Sequence, residues 1–213
     1  MMFSSKKAVM FDFDGTLVDS MGTFATIAAK VMHKYYELPL ELGVEKYMQT
    51  SGIPFHYQLE VLFPGNTLNK QAAREFQETK KEDYFDKIIF PGVPETLLAL
   101  KKKNIKTIVS SNNFQELIDT FVEKRHLVFD FVLGFEDGFE KGPHHFEATM
   151  KKFSLNPSDI LFVGDSLHDG ERALEANIDF VGKEGTFSTA EFHARFPHSP
   201  VVANIDQLLN LLD

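Results

Sequence analysis

Two carboxylates stand two residues apart in Asp12-Phe13-Asp14-Gly15-Thr16, directly after the apolar run Ala8-Val9-Met10-Phe11. A short apolar run of this kind reads as a buried strand. Strand alternation sends Asp12 and Asp14 to the same side if the extended backbone continues through them, and Gly15 lets the chain turn away at once. Both acids are therefore expected at the carboxyl edge of a sheet, where open α/β folds bind their ligands. There one acid could attack an electrophile or hold a cation while the other moves protons. Asp and Gly also build ordinary turns, so the pair alone does not separate chemistry from a polar strand exit.

Three further clusters fall at the same kind of place. Ser110-Ser111-Asn112-Asn113 closes a β-branched strand predicted over 106–110 and opens a helix predicted over 114–124. Hydroxyls and backbone N–H groups at a helix N-terminus bind anions, although Ser and Asn also cap helices with no ligand present. Lys141 stands in the loop Gly138-Phe139-Glu140-Lys141-Gly142-Pro143, from which an ammonium could reach a phosphate as a point charge; most loop lysines are simply solvated. Gly164-Asp165-Ser166-Leu167-His168-Asp169 ends an apolar strand predicted over 159–164. Its two acids can share one side and offer hard oxygen ligands of the type Mg²⁺ prefers. In the structural alternative Asp165 caps the next helix and Asp169 complements its dipole. The set Asp-x-Asp, Ser, Lys, Asp-x-x-x-Asp, in that order and each at a strand end, is far more specific than any member.

The elements that must hold these groups alternate. Strand patterns at 106–110, 129–134, 159–164, 178–181 and 200–203 are interleaved with helical patterns at 114–124, 144–153, 168–176 and 205–212. This alternation predicts an α/β fold, a Rossmann-like doubly wound parallel sheet covered on both faces. Residues 20–90 break it: they read as helices over 21–36, 41–49, 56–62 and 69–85, punctuated by Pro39, Ser51-Gly52, Pro54 and Pro64-Gly65. A core domain of 1–19 and 91–213 with an inserted all-helical cap of 20–90 follows, with hinges expected at Asp19-Ser20 and Phe90-Pro91-Gly92.

Composition narrows the function classes. The 213 residues are 43% hydrophobic and 25% charged, with 22 Phe and no Trp, an ordinary globular balance with enough length for a packed core. The absence of Cys excludes disulfides, thiolate metal sites and Cys nucleophiles. A net charge of −9 argues against a nucleic-acid partner, and any phosphate chemistry must rely on local cations. Met1 to Lys7 lacks a signal-peptide pattern, and no apolar run approaches membrane-spanning length. A cytoplasmic monomer acting on a small molecule is expected.

The four-part set resembles the haloacid dehalogenase-like superfamily, in its helical-cap phosphatase branch near phosphoglycolate phosphatases and beta-phosphoglucomutases. The likeness runs from Lys7 to about Val181. Phe11-Asp12-Phe13-Asp14-Gly15-Thr16-Leu17-Val18-Asp19-Ser20 follows that branch almost letter for letter, as do Phe90-Pro91-Gly92-Val93 and Val163-Gly164-Asp165-Ser166. The resemblance implies a Mg²⁺-dependent phosphatase acting on a small phosphate ester through an aspartyl phosphate; a phosphomutase on the same scaffold and a non-catalytic phospho-acceptor module are the alternatives. It makes Asp12 the nucleophile and Asp14 the acid and base. The Asp12 carboxylate, the Asp14 backbone carbonyl and Asp165 become metal ligands. Ser110, with Ser111 through its backbone N–H, and Lys141 become the phosphoryl-binding groups, and Asp169 an outer-shell acid that could orient Lys141. In the family this lysine is often followed directly by proline, whereas here Gly142 intervenes before Pro143. Dehalogenase chemistry fits poorly, since relatives with it use no metal and lack the second acid of the first motif.

In the cap, Thr50-Ser51-Gly52-Ile53-Pro54-Phe55-His56-Tyr57 resembles the loop that reads substrate in relatives. His56, Lys46 and Arg74 could meet a second anionic group; Phe24, Phe55 and Tyr57 are expected in the cap core. His144, His145 and His168 lack a supporting ligand set and are expected at exposed polar positions. The tail after Gly182, with Thr186, Ser188, Thr189 and His193, is assigned to the surface.

Overall fold

A computed structural model describes residues 2–82 and 84–212. Along the chain, β1 (Ala8–Phe11) and the two-residue β2 (Val18–Asp19) precede α1 (Met21–Tyr36), α2 (Leu40–Gln49), α3 (Phe55–Leu62) and α4 (Asn69–Glu82). After β3 (Ile88–Ile89) come α5 (Val93–Lys102), β4 (Lys106–Phe114), α6 (Gln115–Lys124), β5 (Phe131–Phe135), α7 (Pro143–Phe153), β6 (Ile160–Gly164), α8 (Leu167–Glu175), β7 (Asp179–Lys183), α9 (Thr189–Arg195), β8 (Val201–Val202) and α10 (Leu208–Leu212). The chain divides into two compact units, one of Met1–Val18 with Ile89–Asp213 and one of Asp19–Ile88. It passes between them at β2 and β3, which pair with each other.

The first unit is built on one parallel sheet in the order β5-β4-β1-β6-β7-β8. All of β1 and all of β6 are buried, which is why both read as unbroken apolar runs rather than as alternating patterns. The strand order reverses beside β1: the chain steps outward through β4 and β5, then returns to β6 on the other side. A crevice at the carboxyl ends of β4, β1 and β6 follows from that reversal. The register is level there, since Phe11 pairs with Val109 on one side and Val163 on the other. The residues that leave these three strands therefore emerge together. Phenylalanine fills the layer beneath, with Phe146 edge-on to Phe162 at 5.4 Å and Phe180 packed between Phe192 and Phe196.

The second unit is helical. Gly43 of α2 lets that helix approach α1 closely, since a Cβ there would lie 2.8 Å from the Ala29 Cα. Its aromatic core joins Phe24, Tyr47, Phe55, Phe76 and Tyr84, with Phe55 and Phe76 only 4.2 Å apart. Phe24 and Phe55 are buried as expected, but Tyr57 is exposed beside His56. Among the described residues no helix is long and apolar enough to cross a membrane.

Several elements differ from the sequence reading. The helix expected over 69–85 is described as α4 over Asn69–Glu82; residue 83 lies outside the described residues, and Tyr84–Asp86 form a 3₁₀ turn instead of a continued α-helix. The terminal helix predicted over 205–212 begins as a 3₁₀ turn, Ile205–Gln207, before α10. Neither α5 nor α9 was anticipated. The tail is not merely surface: α9 carries a complete capping box, Ser188 with Glu191, and buries Phe192. That box was legible as Ser-x-x-Glu.

Candidate active site

The first motif is a tight turn off the central strand. The Asp12 amide donates to the Val163 carbonyl at 2.8 Å, prolonging the sheet by one bond, and Leu17 N–H then closes back on Phe13 O at 2.9 Å. Gly15 holds φ at +85°, a region in which a side chain is strained. Asp12 is 4% exposed, and its Oδ2 accepts a bond from the Thr16 hydroxyl at 3.3 Å.

Lys141 is a buried cation of the site. Unlike an ordinary loop lysine it is only 4% exposed, and its Nζ lies 2.8 Å from Asp12 Oδ1 and 2.7 Å from Asp169 Oδ1. Its backbone N–H donates to Asn112 Oδ1 at 3.3 Å. Gly142 explains the departure after the lysine. It adopts φ +116°, which proline, locked near −65°, cannot; Pro143 then opens α7 in its first turn.

The third cluster wraps the start of α8. Ser166 and Asp169 form a reciprocal capping box: the Ser166 hydroxyl and amide both donate to Asp169 Oδ2, at 2.7 and 3.2 Å, while Asp169 N–H donates to Ser166 Oγ at 3.2 Å. Ser166, not Asp165, is thus the cap. Asp165 is instead turned inward, where its Oδ2 accepts the hydroxyl of Thr186 from the turn after β7.

These groups share one buried volume. Asp12, Asp165 and Asp169 each bring a carboxylate oxygen to within 4.8 Å of the others. Burial pushes Asp12 up to about 6, helped by Asp169 and Asp14 and opposed by Lys141. Burial likewise raises Asp165 well above the carboxylate range, with Asp12 and Asp169 adding to it. Burial alone would lower Lys141, but Asp12 and Asp169 outweigh it and hold the ammonium charged. One lysine cannot balance three buried acids, and an oxygen-rich, over-acidic pocket suits a hard divalent cation. Asp12, Asp165 and Asp169 are the side chains that could hold one.

β4 does not end at Ser110, as the sequence suggested. It continues through a register shift to Phe114, which pairs with Phe135. Such an irregularity re-aims side chains. Ser110 turns to α7, where its Oγ lies 2.9 Å from His145 Nδ1; His145 Nε2 lies 3.2 Å from the Gly134 carbonyl. A carbonyl only accepts, so Nε2 carries the proton, Nδ1 is a lone pair, and Ser110 donates to it. His145 is fully buried and burial lowers it to about 3, contrary to the surface position expected; His144 is exposed and His168 half-buried. Ser111, also buried, accepts Asn113 N–H at 3.0 Å and keeps its hydroxyl proton for another acceptor. Asn113 extends its side-chain amide to Asp14 Oδ2 at 3.2 Å.

The cap residues named from sequence lie on three helices of the second unit: Lys46 on α2, bonded to Gln49; His56 on α3, against Tyr57; and Arg74, exposed on α4. Sequence reasoning missed Thr186, Asn113 and His145 as parts of the first unit's site.

The haloacid dehalogenase-like hydrolase family matches residues 9–183, and the chain belongs to that family, in its phosphoglycolate phosphatase-like branch. It is an enzyme of the hydrolase and phosphatase type. A phosphoglycolate phosphatase of Nitrosospira multiformis is 31% identical over 80% of this chain and 79% of its own. The pyrophosphatase PpaX of Oceanobacillus iheyensis is 22% identical over 98% and 97%. A haloacid dehalogenase-like family hydrolase of Streptococcus pneumoniae shares the fold with a TM-score of 0.78 at 18% identity, covering 97% of this chain and 98% of that one.

Proposed function

We propose that this hydrolase is a Mg²⁺-dependent phosphatase that releases phosphate from a small phosphorylated metabolite through an aspartyl phosphate on Asp12. The observation that carries the reading is Lys141, buried and shared between Asp12 and Asp169, at the strand ends that also present Asp165. Phosphoryl transfer needs an in-line nucleophile and neutralisation of the equatorial oxygens above all else.

Asp12 attacks phosphorus; the P–O bond to the leaving group breaks, and Asp14 gives that oxygen a proton. Asp14 then takes a proton from the water that cleaves the aspartyl phosphate, which restores Asp12 and frees phosphate. Lys141 neutralises phosphoryl charge, and Asp169 keeps it aimed. The Asp12 carboxylate, the Asp14 backbone carbonyl and Asp165 would hold Mg²⁺, which supplies further charge neutralisation when bound. On the Ser110–Ser111 segment the proton of Ser110 is committed to His145, so the Ser111 hydroxyl is the better donor to a phosphoryl oxygen. His56, Lys46 and Arg74 are proposed to read the rest of the substrate. The curated phosphoglycolate phosphatase above makes short carboxylated phosphate esters the first compounds to try.

Phosphate release from a panel of small phosphate esters, with Mg²⁺ and with EDTA, tests the proposal beside Asp12→Ala. Metal-dependent release that disappears in the variant is expected. Undiminished turnover by Asp12→Ala would remove the covalent mechanism.

A further inference from the structure

Asn113 has no part in the chemistry described so far, yet it is 3% exposed and both ends of its side-chain amide are engaged. Its Oδ1 accepts the Phe114 N–H at 3.2 Å, and its Nδ2 donates to Asp14 Oδ2 at 3.2 Å. The first bond fixes the orientation of the amide: with Oδ1 on a backbone donor, the NH₂ group must be the end that faces Asp14. The backbone is pinned as well, by Asn113 N–H on Ser111 Oγ. The register shift in β4 between Ser110 and Phe114 is what carries this residue to the sheet edge.

The consequence concerns how the Asp14 carboxyl is held. We propose that Asn113 is a positioning residue for acid catalysis: its amide, fixed by its own backbone contacts, holds Asp14 in the rotamer from which it protonates the leaving group. The inference rests on Asp14 acting as the general acid.

The test is leaving-group dependence. A p-nitrophenolate leaves without a proton, whereas an alkoxide needs one. kcat/KM for p-nitrophenyl phosphate and for glycerol phosphate is measured for wild type, Asp14→Asn, Asn113→Ala and Asn113→Ser; it reports steps up to transfer onto Asp12. Asp14→Asn is expected to lose far more on the alkyl ester than on the aryl ester. Asn113→Ala is expected to lose about 10- to 100-fold on the alkyl ester, the range for a hydrogen bond to a charged group, and to stay within about threefold on the aryl ester. Asn113→Ser, which keeps a shorter donor, falls between. The ratio of the two substrates cancels the amount of folded enzyme, so partial unfolding does not blur it, and Asn113→Ser serves if the alanine variant does not fold. Equal losses on both esters, or none on either, while Asp14→Asn shows the split, would overturn the role of Asn113. An Asp14→Asn variant without the split would instead overturn the assignment of Asp14, and the inference with it.

Discussion

His145 sets a pH dependence of stability that can be worked from its surroundings. The ring is fully buried, donates from Nε2 to Gly134 O and accepts at Nδ1 from Ser110. Burial lowers it to about 3, and the cations Lys141 and Arg172, with His144, oppose its protonation further. In the unfolded chain a histidine titrates near its ordinary 6.5. The native state therefore stays neutral where the unfolded state binds a proton. The stabilisation is complete above about pH 6.5 and is lost as pH falls from there toward 3. The limiting slope is about 1.4 kcal/mol per pH unit, so between pH 7.5 and 5.0 this one group costs about 2 kcal/mol. Other groups titrate over the same range: Asp12 and Asp165, raised by burial, act in the opposite direction. A difference measurement removes them. His145→Asn keeps an acceptor at the Nδ1 position but has no proton to gain. Urea unfolding of both proteins from pH 5.0 to 7.5 is expected to show wild type ahead at neutral pH and its lead shrinking by about 2 kcal/mol at pH 5.0. Parallel stability curves across that range would refute both the tautomer assignment and the depressed titration of His145.

Two further variants separate the roles of neighbouring groups. Ser111→Ala is expected to lower kcat/KM by about 10- to 100-fold through loss of a donor to phosphoryl charge, whereas Ser110→Ala, which leaves His145 Nδ1 unpaired, should cost about 1–3 kcal/mol of stability with little change in turnover; steady-state kinetics and urea melts read the two, and the reverse pattern would return the donor role to Ser110. Thr186→Val keeps the shape of the side chain but removes the hydroxyl on Asp165, and Mg²⁺ affinity by titration calorimetry is expected to fall about 10- to 100-fold, as for other residues that orient a ligand; an unchanged affinity would reduce Thr186 to a turn residue.

The parts legible in the sequence are those whose physics is local. The apolar runs at Ala8 to Phe11 and Ile160 to Gly164, each followed by acids, could be read as central strands because parallel strands bury both faces. α1 was read to its end residues because its apolar spacing is sustained over sixteen residues. The parts that were not legible depend on contacts far apart in the chain. Thr186 meets Asp165 only after β7 has turned. His145 looks like any polar residue in a first helical turn until β4 lies against that turn and supplies Ser110. The extension of β4 past Ser110 had no local signal either, since Ser110 to Asn113 has the composition of a helix cap; pairing with β5 overrode it.

The wording of the third cluster also has a physical cause that its own residues supply. Gly164 keeps an ordinary negative φ, so its glycine is needed for space rather than conformation. A Cβ there would fall 2.6 Å from both Asp169 Cβ and Asp169 Oδ2. Asp169 folds back over the strand end because the capping box with Ser166 draws Oδ2 down, and only a bare Cα leaves room for it. With Oδ2 held, Oδ1 is delivered to Lys141 at 2.7 Å, and Lys141 in turn reaches Asp12. Gly164, Ser166 and Asp169 thus act as one lever that sets the position of a lysine far away in sequence, while Asp165, between them, faces the other way into the pocket. Lys141 is thereby held between two carboxylates, Asp169 Oδ1 at 2.7 Å and Asp12 Oδ1 at 2.8 Å, so a change at Gly164 or Ser166 that moves Asp169 also moves the cation beside Asp12.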